Sequence, residues 1–129
     1  MEKYKKKIGN FGEILAKNFL ITRNYTIIDS NIKLGYLEID LIAREKDQLV
    51  FVEVKTRTSL TLGPAEDALA SSQIKNLKRA ISIFCARNRI NLNKVRLDFI
   101  AIDLNIKSKL AKIKHFKDII WTLLQFHRL

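Results

Sequence analysis

Apolar and polar positions alternate along this chain with two different periods. In residues 8–23, "IGNFGEILAKNFLITR", Ile8, Phe11, Gly12, Leu15, Ala16 and Phe19 fall on one arc at helical spacing, which predicts an amphipathic helix. Gly9 and Gly12 each disfavour that helix by up to ~1 kcal/mol relative to Ala, so small residues there point to a close approach by another backbone. Glu13 lies at the edge of the arc, beside Gly9, Ala16 and Leu20, where it can point along a helix–sheet seam. The period then shortens. Residues 25–34, 36–44 and 49–57 read as three strands, and "EKDQ" (45–48) is a polar turn that makes the last two a hairpin. A loop over 58–70 carries Gly63 and Pro64 and ends in a helical turn. A second helix over 71–89 has the apolar stripe Ile74, Leu77, Ile81 and Phe84, with Lys75, Lys78 and Arg79 crowding its other side. Strands at 94–104 and 109–116 and a closing helix at 117–128 complete the pattern. That order predicts an α+β or α/β sandwich around a mixed sheet, in one domain spanning 1–129.

Within the third strand, "LVFVEVKTR", Val50, Val52 and Val54 call for a pleated, buried position, yet Glu53 and Lys55 interrupt them. Charges in such a strand are costly unless paired or metal-bound. Strand side chains alternate faces, so Glu53 and Lys55 share one face, and Glu38, Asp40 and Ile42 share a face of the preceding strand. If the loop is Glu45–Gln48 and Arg44 pairs with Leu49, antiparallel pairing sets Asp40 opposite Glu53 and Glu38 opposite Lys55. Facing carboxylates repel, and a bound Mg²⁺ would relieve the repulsion, completing its shell with waters and phosphate oxygens. An E-x-K pair alone is a common feature of exposed strands. Asp40, set in "EIDLIA", and the edge-placed Glu13 make the combination Asp-x₁₂-Glu-x-Lys far more specific, while Glu38 reads as a salt-bridge partner or strand-edge charge.

Charge sharpens the picture. Residues 1–67 hold 11 basic and 10 acidic side chains, whereas residues 68–129 hold 13 basic and 3 acidic, out of a net +11. A polyanion fits that division, nucleic acid better than acidic lipid, because no strong membrane-surface helix is evident. At 47% apolar and 29% charged the composition is that of a globular chain. The basic start "MEKYKKKIGNFG" lacks the apolar stretch of a signal peptide, and the tail "DIIWTLLQFHRL" is too short to span a bilayer. Cys85, the one thiol, reads as core filler and suits a reducing cytoplasm. It is also too isolated, and His115 and His127 too badly spaced, for a zinc site.

"GNFGE…A" (Gly9, Gly12, Glu13, Ala16), "EIDLIAR" (38–44), "VFVEVKTR" (50–57) and "VRLDFIAID" (95–103) together resemble the YraN-type bacterial family, uncharacterised protein family 0102. The match runs in order across nearly the whole chain. That family looks like a member of the PD-(D/E)xK nuclease superfamily, related in fold to archaeal Holliday-junction resolvases and restriction endonucleases. The resemblance implies a restriction-endonuclease-like three-layer sandwich, with a mixed central sheet of four to five strands flanked by helices. It implies that Asp40 and Glu53 bind the metal, Mg²⁺ or Mn²⁺, and that Lys55 is the catalytic lysine. Glu13 would be the first-helix acid, and Val54 would offer its backbone carbonyl to the metal. Two positions depart from the family pattern. Leu37 stands where Gly usually precedes the "EID" acid, and Gln73 aligns where the second long helix often carries Lys, with Lys75 two residues later; Gln73 is not counted among the site residues.

Two functions follow. One is a metal-dependent nuclease acting on nucleic acid, DNA in the first instance and branched or structured DNA in particular, with Arg57, Lys75, Lys78 and Arg79 on backbone phosphates. The other is a nucleic-acid-binding protein that keeps the nuclease fold without turnover. A scaffold role for the Trp121/Phe126 tail, with a homodimer contact, ranks third.

Overall fold

A computed structural model of the chain describes residues 2–58 and 63–119. Helix α1 (Glu2–Thr22) is followed by β1 (Tyr25–Leu34), β2 (Leu37–Glu45) and β3 (Gln48–Thr58), a 3-10 turn at Ala65–Ala68, helix α2 (Ser71–Arg87), β4 (Arg96–Asn105) and β5 (Leu110–Phe116). The five strands form one mixed sheet in the order β1-β2-β3-β4-β5. All neighbours are antiparallel except β3 and β4, which are parallel because α2 carries the chain back across the sheet between them. Two apolar layers result. Ala16 and Leu20 of α1 pack with Leu41, Ala43, Val50, Val52, Val54, Ile100 and Ile102, and Leu77, Ala80, Ile81 and Cys85 of α2 pack on the opposite face with Phe51 and Leu97. This is the α+β sandwich that the element order predicts, and its five-stranded mixed sheet between helices is compatible with three layers.

Several boundaries differ. Helix α1 begins six residues before the predicted start at 8, through "EKYKKK", whose lysines are good helix formers that carry no apolar period. Phe11, placed on the core arc by its spacing, is 50% exposed, and the buried seam is Gly12, Ala16 and Leu20. The β2–β3 turn is tighter than predicted. Arg44 does pair with Leu49, but Glu45 also pairs with Gln48, leaving Lys46 and Asp47 as a two-residue turn with Lys46 at φ 55°. The closing helix predicted from 117 does not begin there, since Lys117 and Asp118 are not helical and Asp118 has φ 55°; its span from 120 and the Trp121/Phe126 contact lie outside the described residues. Among the described residues no helix is long and apolar enough to cross a membrane.

Gly12 is where α1 touches the sheet. A Cβ there would overlap Oγ1 of Thr56 on β3 and stand 2.9 Å from its Cβ. Rotating Thr56 cannot move that Cβ, so the overlap must be met by backbone shift. Overpacking of this kind costs ~1–3 kcal/mol, against a gain of ~1 kcal/mol in helix propensity. Gly12→Ala is therefore expected to lower stability by about 1–2 kcal/mol in urea denaturation, and adding Thr56→Ala should recover only part of the loss.

Candidate active site at a fork in the sheet

The antiparallel ladder between β2 and β3 runs from Glu45–Gln48 to Leu41–Val52 and stops there. Beyond it the two strands follow different neighbours. β2 stays with β1 as far as Leu34–Leu37, and β3 stays with β4 as far as Thr58–Leu104. The sheet thus forks, with Asp40 on one arm and Glu53 on the other. Asn31, at φ 52°, lies between the Ser30–Leu41 and Ile32–Ile39 pairs, level with Asp40. Asn tolerates that left-handed conformation better than other non-glycine residues. At this level the sheet changes face. Leu41 and Ala43 belong to the α1 layer, whereas Leu37 and Ile39, at the same parity, belong to the α2 layer. Leu37, where the resembling family has Gly, is buried in this second layer with Leu34.

The predicted cross-strand pairs of Asp40 with Glu53 and Glu38 with Lys55 are accordingly not ladder pairs. Glu38 is exposed and pairs with Lys33 across β1. Asp40 meets β3 through its side chain instead: Oδ2 accepts a hydrogen bond from the Val54 N–H at 2.9 Å, filling the place of the ladder acceptor lost at the fork. The two carboxyl groups still come together. Glu53 is buried, at 8% exposure. Burial first, then the charge of Asp40 and a hydrogen bond shared with it, push the Glu53 carboxyl up to about 9. Lys55, on the same face of β3, holds its Nζ 3.7 Å from Glu53 Oε1 and only partly offsets this.

Lys55 has a second neighbour that the residue pattern did not assign to the site. Gln73, in the first turn of α2, stands over it. An ammonium can only donate, so the amide turns its oxygen to Lys55 Nζ at 3.1 Å and its NH₂ to the Ala68 carbonyl at 3.1 Å. The opposite orientation would gain only a long 3.4 Å bond from the Ala70 N–H. Its alignment with a position where the family often carries Lys was the available signal.

Glu13 approaches from α1. Its carboxyl is raised above the usual range by burial and then by the nearby charge of Asp40, while a hydrogen bond with Asn31 acts in the other direction. It is thus within electrostatic range of Asp40 and bonded to Asn31. Among the described residues, no three His, Cys, Asp or Glu side chains form a ready-made cation cage. The donor chemistry of Asp40 and Glu53 nevertheless fits a hard divalent cation of the Mg²⁺ type, which takes one or two carboxylates and keeps its other positions for water and substrate oxygens. The proton held by Glu53 is the one such a cation would displace. At Val54 the N–H is bonded to Asp40.

The basic candidates lie on β3 and α2. Arg57 is two residues beyond Lys55 on β3, level with Asp103 of β4. Lys75 is exposed on α2 and Lys78 half-buried. Arg79 donates to the Tyr36 hydroxyl at 2.9 Å and has its guanidinium 6.0 Å from the ring centroid, which holds that highly exposed ring at the β1–β2 turn. A cleft of about 690 Å³ lined by Thr58, Pro64, Asp103, Leu104 and Leu110 lies past the end of β3 and includes none of Asp40, Glu53 and Lys55.

A second polar centre lies under the C-terminal end of α1. Asp98 of β4 is fully buried. Its Oδ1 accepts from Arg96 Nε at 2.8 Å and the Asp118 N–H at 3.0 Å, and its Oδ2 from Arg96 at 3.0 Å, His115 Nε2 at 2.8 Å and the Tyr25 hydroxyl at 3.3 Å. Burial pushes the Asp98 carboxyl upward, but the bonds from His115, Arg96 and Asp118 outweigh it and hold it at about 2. Arg96 continues to Glu45 at 2.8 Å, and Lys117 reaches the same Glu45 at 3.2 Å. Every partner is spent on another, so the cluster reads as a clamp joining β1, the β2–β3 hairpin, β4 and the end of β5.

Comparison with known proteins places the chain in a family. Residues 12–102, which span both the fork and most of the clamp, match the profile of the uncharacterised protein family UPF0102. A UPF0102 protein of Acetivibrio thermocellus is 39% identical over 111 residues, covering 85% of each chain. One of Clostridium beijerinckii is 40% identical over 119 residues, 92% of this chain and 96% of its own, and one of Flavobacterium psychrophilum is 37% identical over 111 residues, 86% and 91%. The chain belongs to the UPF0102 family.

Proposed function

We propose that this protein is a metal-dependent nuclease of the PD-(D/E)xK type, hydrolysing phosphodiester bonds of nucleic acid, with DNA as the expected substrate. The observation that carries the reading is the meeting of Asp40 and Glu53 at the fork, with Lys55 3.7 Å from Glu53. Two carboxyls forced together so that one keeps its proton gain nothing in stability, and perturbed groups of this kind cluster where chemistry is done. A Mg²⁺ or Mn²⁺ ion held by them would supply Lewis-acid charge at the phosphate and a more acidic water. The chain's own parts have separate roles. The Val54 N–H fixes the orientation of Asp40. Gln73 steadies Lys55, whose ammonium is aimed at the charge that develops on the phosphate oxygens in the transition state. Arg57, Lys75, Lys78 and Arg79 grip neighbouring phosphates on a surface whose second half carries 13 basic residues against 3 acidic.

The test is cleavage of duplex, single-stranded and branched DNA with Mg²⁺ or Mn²⁺. Lys55→Ala and Glu53→Ala should each reduce cleavage by about 10²-fold or more, the scale of losing one transition-state contact, while DNA affinity stays close to wild type. Reversing Lys75 and Lys78 to Glu should weaken binding to all sequences alike and flatten the salt dependence by ~0.9 in log–log slope per lost duplex phosphate contact. Salt-dependent binding with no cleavage of any of these substrates would favour the binding protein without turnover. Cleavage unchanged by Lys55→Ala would remove the site.

A further inference from the structure

The outer face of α1 carries Tyr4, Phe11, Ile14 and Ile21, exposed by 48%, 50%, 55% and 54%. At 100° per residue they centre roughly 190° from the buried seam of Gly12, Ala16 and Leu20, so they point away from the protein's own core. Their spacing is ordered. Positions 4, 7, 11, 14, 18 and 21 alternate steps of three and four, the spacing of a helix-pairing seam, and Lys7 and Asn18 occupy the two remaining slots. The seam from Tyr4 to Ile21 is about 26 Å long.

We infer that α1 is a dimerisation element, pairing antiparallel with α1 of a second copy about a twofold axis level with Gly12 and Glu13. The pattern is self-complementary in that direction. Tyr4 then meets Ile21 of the second copy, Phe11 meets Ile14, and Lys7 meets Asn18. Parallel pairing would set Lys7 against Lys7 and stack the two "EKYKKK" segments on each other. The charge pattern points the same way. Lys3, Lys5, Lys6 and Lys7 crowd the helix N-terminus, where the macrodipole is already positive, and the last turn of α1 holds no basic residue. An antiparallel partner lays its negative helix end against those lysines. Other occupants fit less well. A face lying on lipid would carry its lysines on the polar flank, whereas Lys7 sits within this seam. The inference does not depend on the nuclease reading.

Disulfide trapping tests it. Cys85 is buried, so introduced thiols report on the seam. Under mild oxidation Tyr4→Cys/Ile21→Cys should form a covalent dimer in high yield, whereas Tyr4→Cys alone should not, because its two copies lie at opposite ends of the pair. Sedimentation equilibrium of the wild type should give twice the chain mass at micromolar concentrations. Ile14→Lys should weaken that association about tenfold or more, and at concentrations low enough for both proteins to be monomeric its melting temperature should match the wild type, since the side chain is exposed. Each chain carries +11, so added salt screens repulsion and should maintain or tighten the dimer, the reverse of its effect on nucleic-acid binding. Crosslinking through Tyr4→Cys alone would establish the parallel arrangement and overturn the inference. A monomer at about 100 µM, with no crosslink in the double variant, would overturn it too, whether the seam is then found on anionic vesicles or nowhere.

Discussion

Asp98→Asn should lower the unfolding free energy by about 3–5 kcal/mol, the scale of breaking a buried ion pair and leaving its partner behind. The partner is Arg96, whose side chain is 11% exposed and which loses the carboxylate that takes two of its hydrogen bonds. His115, the Tyr25 hydroxyl and the Asp118 N–H lose an ionised acceptor together with it. For a domain of this size the loss corresponds to a fall of roughly 10 °C or more in Tm. Replacing Arg96 and Asp98 together by Met and Leu should cost less than the sum of the two single changes, because Arg96 no longer faces a lost carboxylate, while His115, the Tyr25 hydroxyl and the Asp118 N–H still lose their acceptor. The pH profile has a definite sign. The Asp98 carboxyl lies at about 2 in the fold against an ordinary 3.8, so its stabilisation is fully present above pH 3.8 and is lost as pH falls through 2. Urea denaturation at pH 7 and pH 3 checks both statements. A loss below 1 kcal/mol for Asp98→Asn at pH 7 would mean that the clamp is not closed.

The clamp also marks a limit of what the residues disclose one stretch at a time. "VRLDFIAID" is legible as a strand, and Asp98 as a charge within it. His115 stands 17 residues further on and Tyr25 is 73 residues away, and neither alternation nor charge pattern links them. The fork has the same character. Strands β1, β2 and β3 declare themselves through β-branched alternation, and the Arg44–Leu49 register follows from the polar turn. A register extrapolated beyond Leu41–Val52 assumes that the two strands remain neighbours. They part at Asp40, level with the left-handed Asn31 of β1, a third strand that leaves no mark on the β2–β3 pattern. Asp40 and Glu53 come close in spite of this, because the Asp40 side chain spans the gap to the Val54 N–H that a ladder carbonyl would otherwise have reached. Gln73 was hidden for a related reason. A polar residue at the start of an amphipathic helix is ordinary, and its value lies in the contact with Lys55 across the crossover between β3 and α2.

Without a divalent cation, Glu53→Gln should stabilise the protein at neutral pH, and the gain should vanish near pH 4.5. The Glu53 carboxyl has an ordinary value of 4.5 and is pushed up to about 9 by burial and by Asp40. Between those limits the folded chain holds a proton that the unfolded chain releases, so metal-free stability falls as pH rises from 4.5 and levels off above 9. By pH 7 the loss is on the order of 3 kcal/mol. Gln is neutral throughout and keeps a donor for Asp40, so the variant should show a flatter profile and exceed the wild type at pH 7 by on the order of 1–3 kcal/mol. Added Mn²⁺ should act in the opposite sense. In the wild type it displaces the Glu53 proton and raises Tm, more at pH 8 than at pH 6, because displacement is easier as protons become scarce. Glu53→Gln and Asp40→Asn should lose most of that response, whereas Lys55→Ala should retain it while losing cleavage. Thermal melts of the four proteins at both pH values, with and without Mn²⁺, read the metal response of each without requiring turnover. Equal Mn²⁺ shifts in wild type and Glu53→Gln would place the ion elsewhere and take the metal away from the fork.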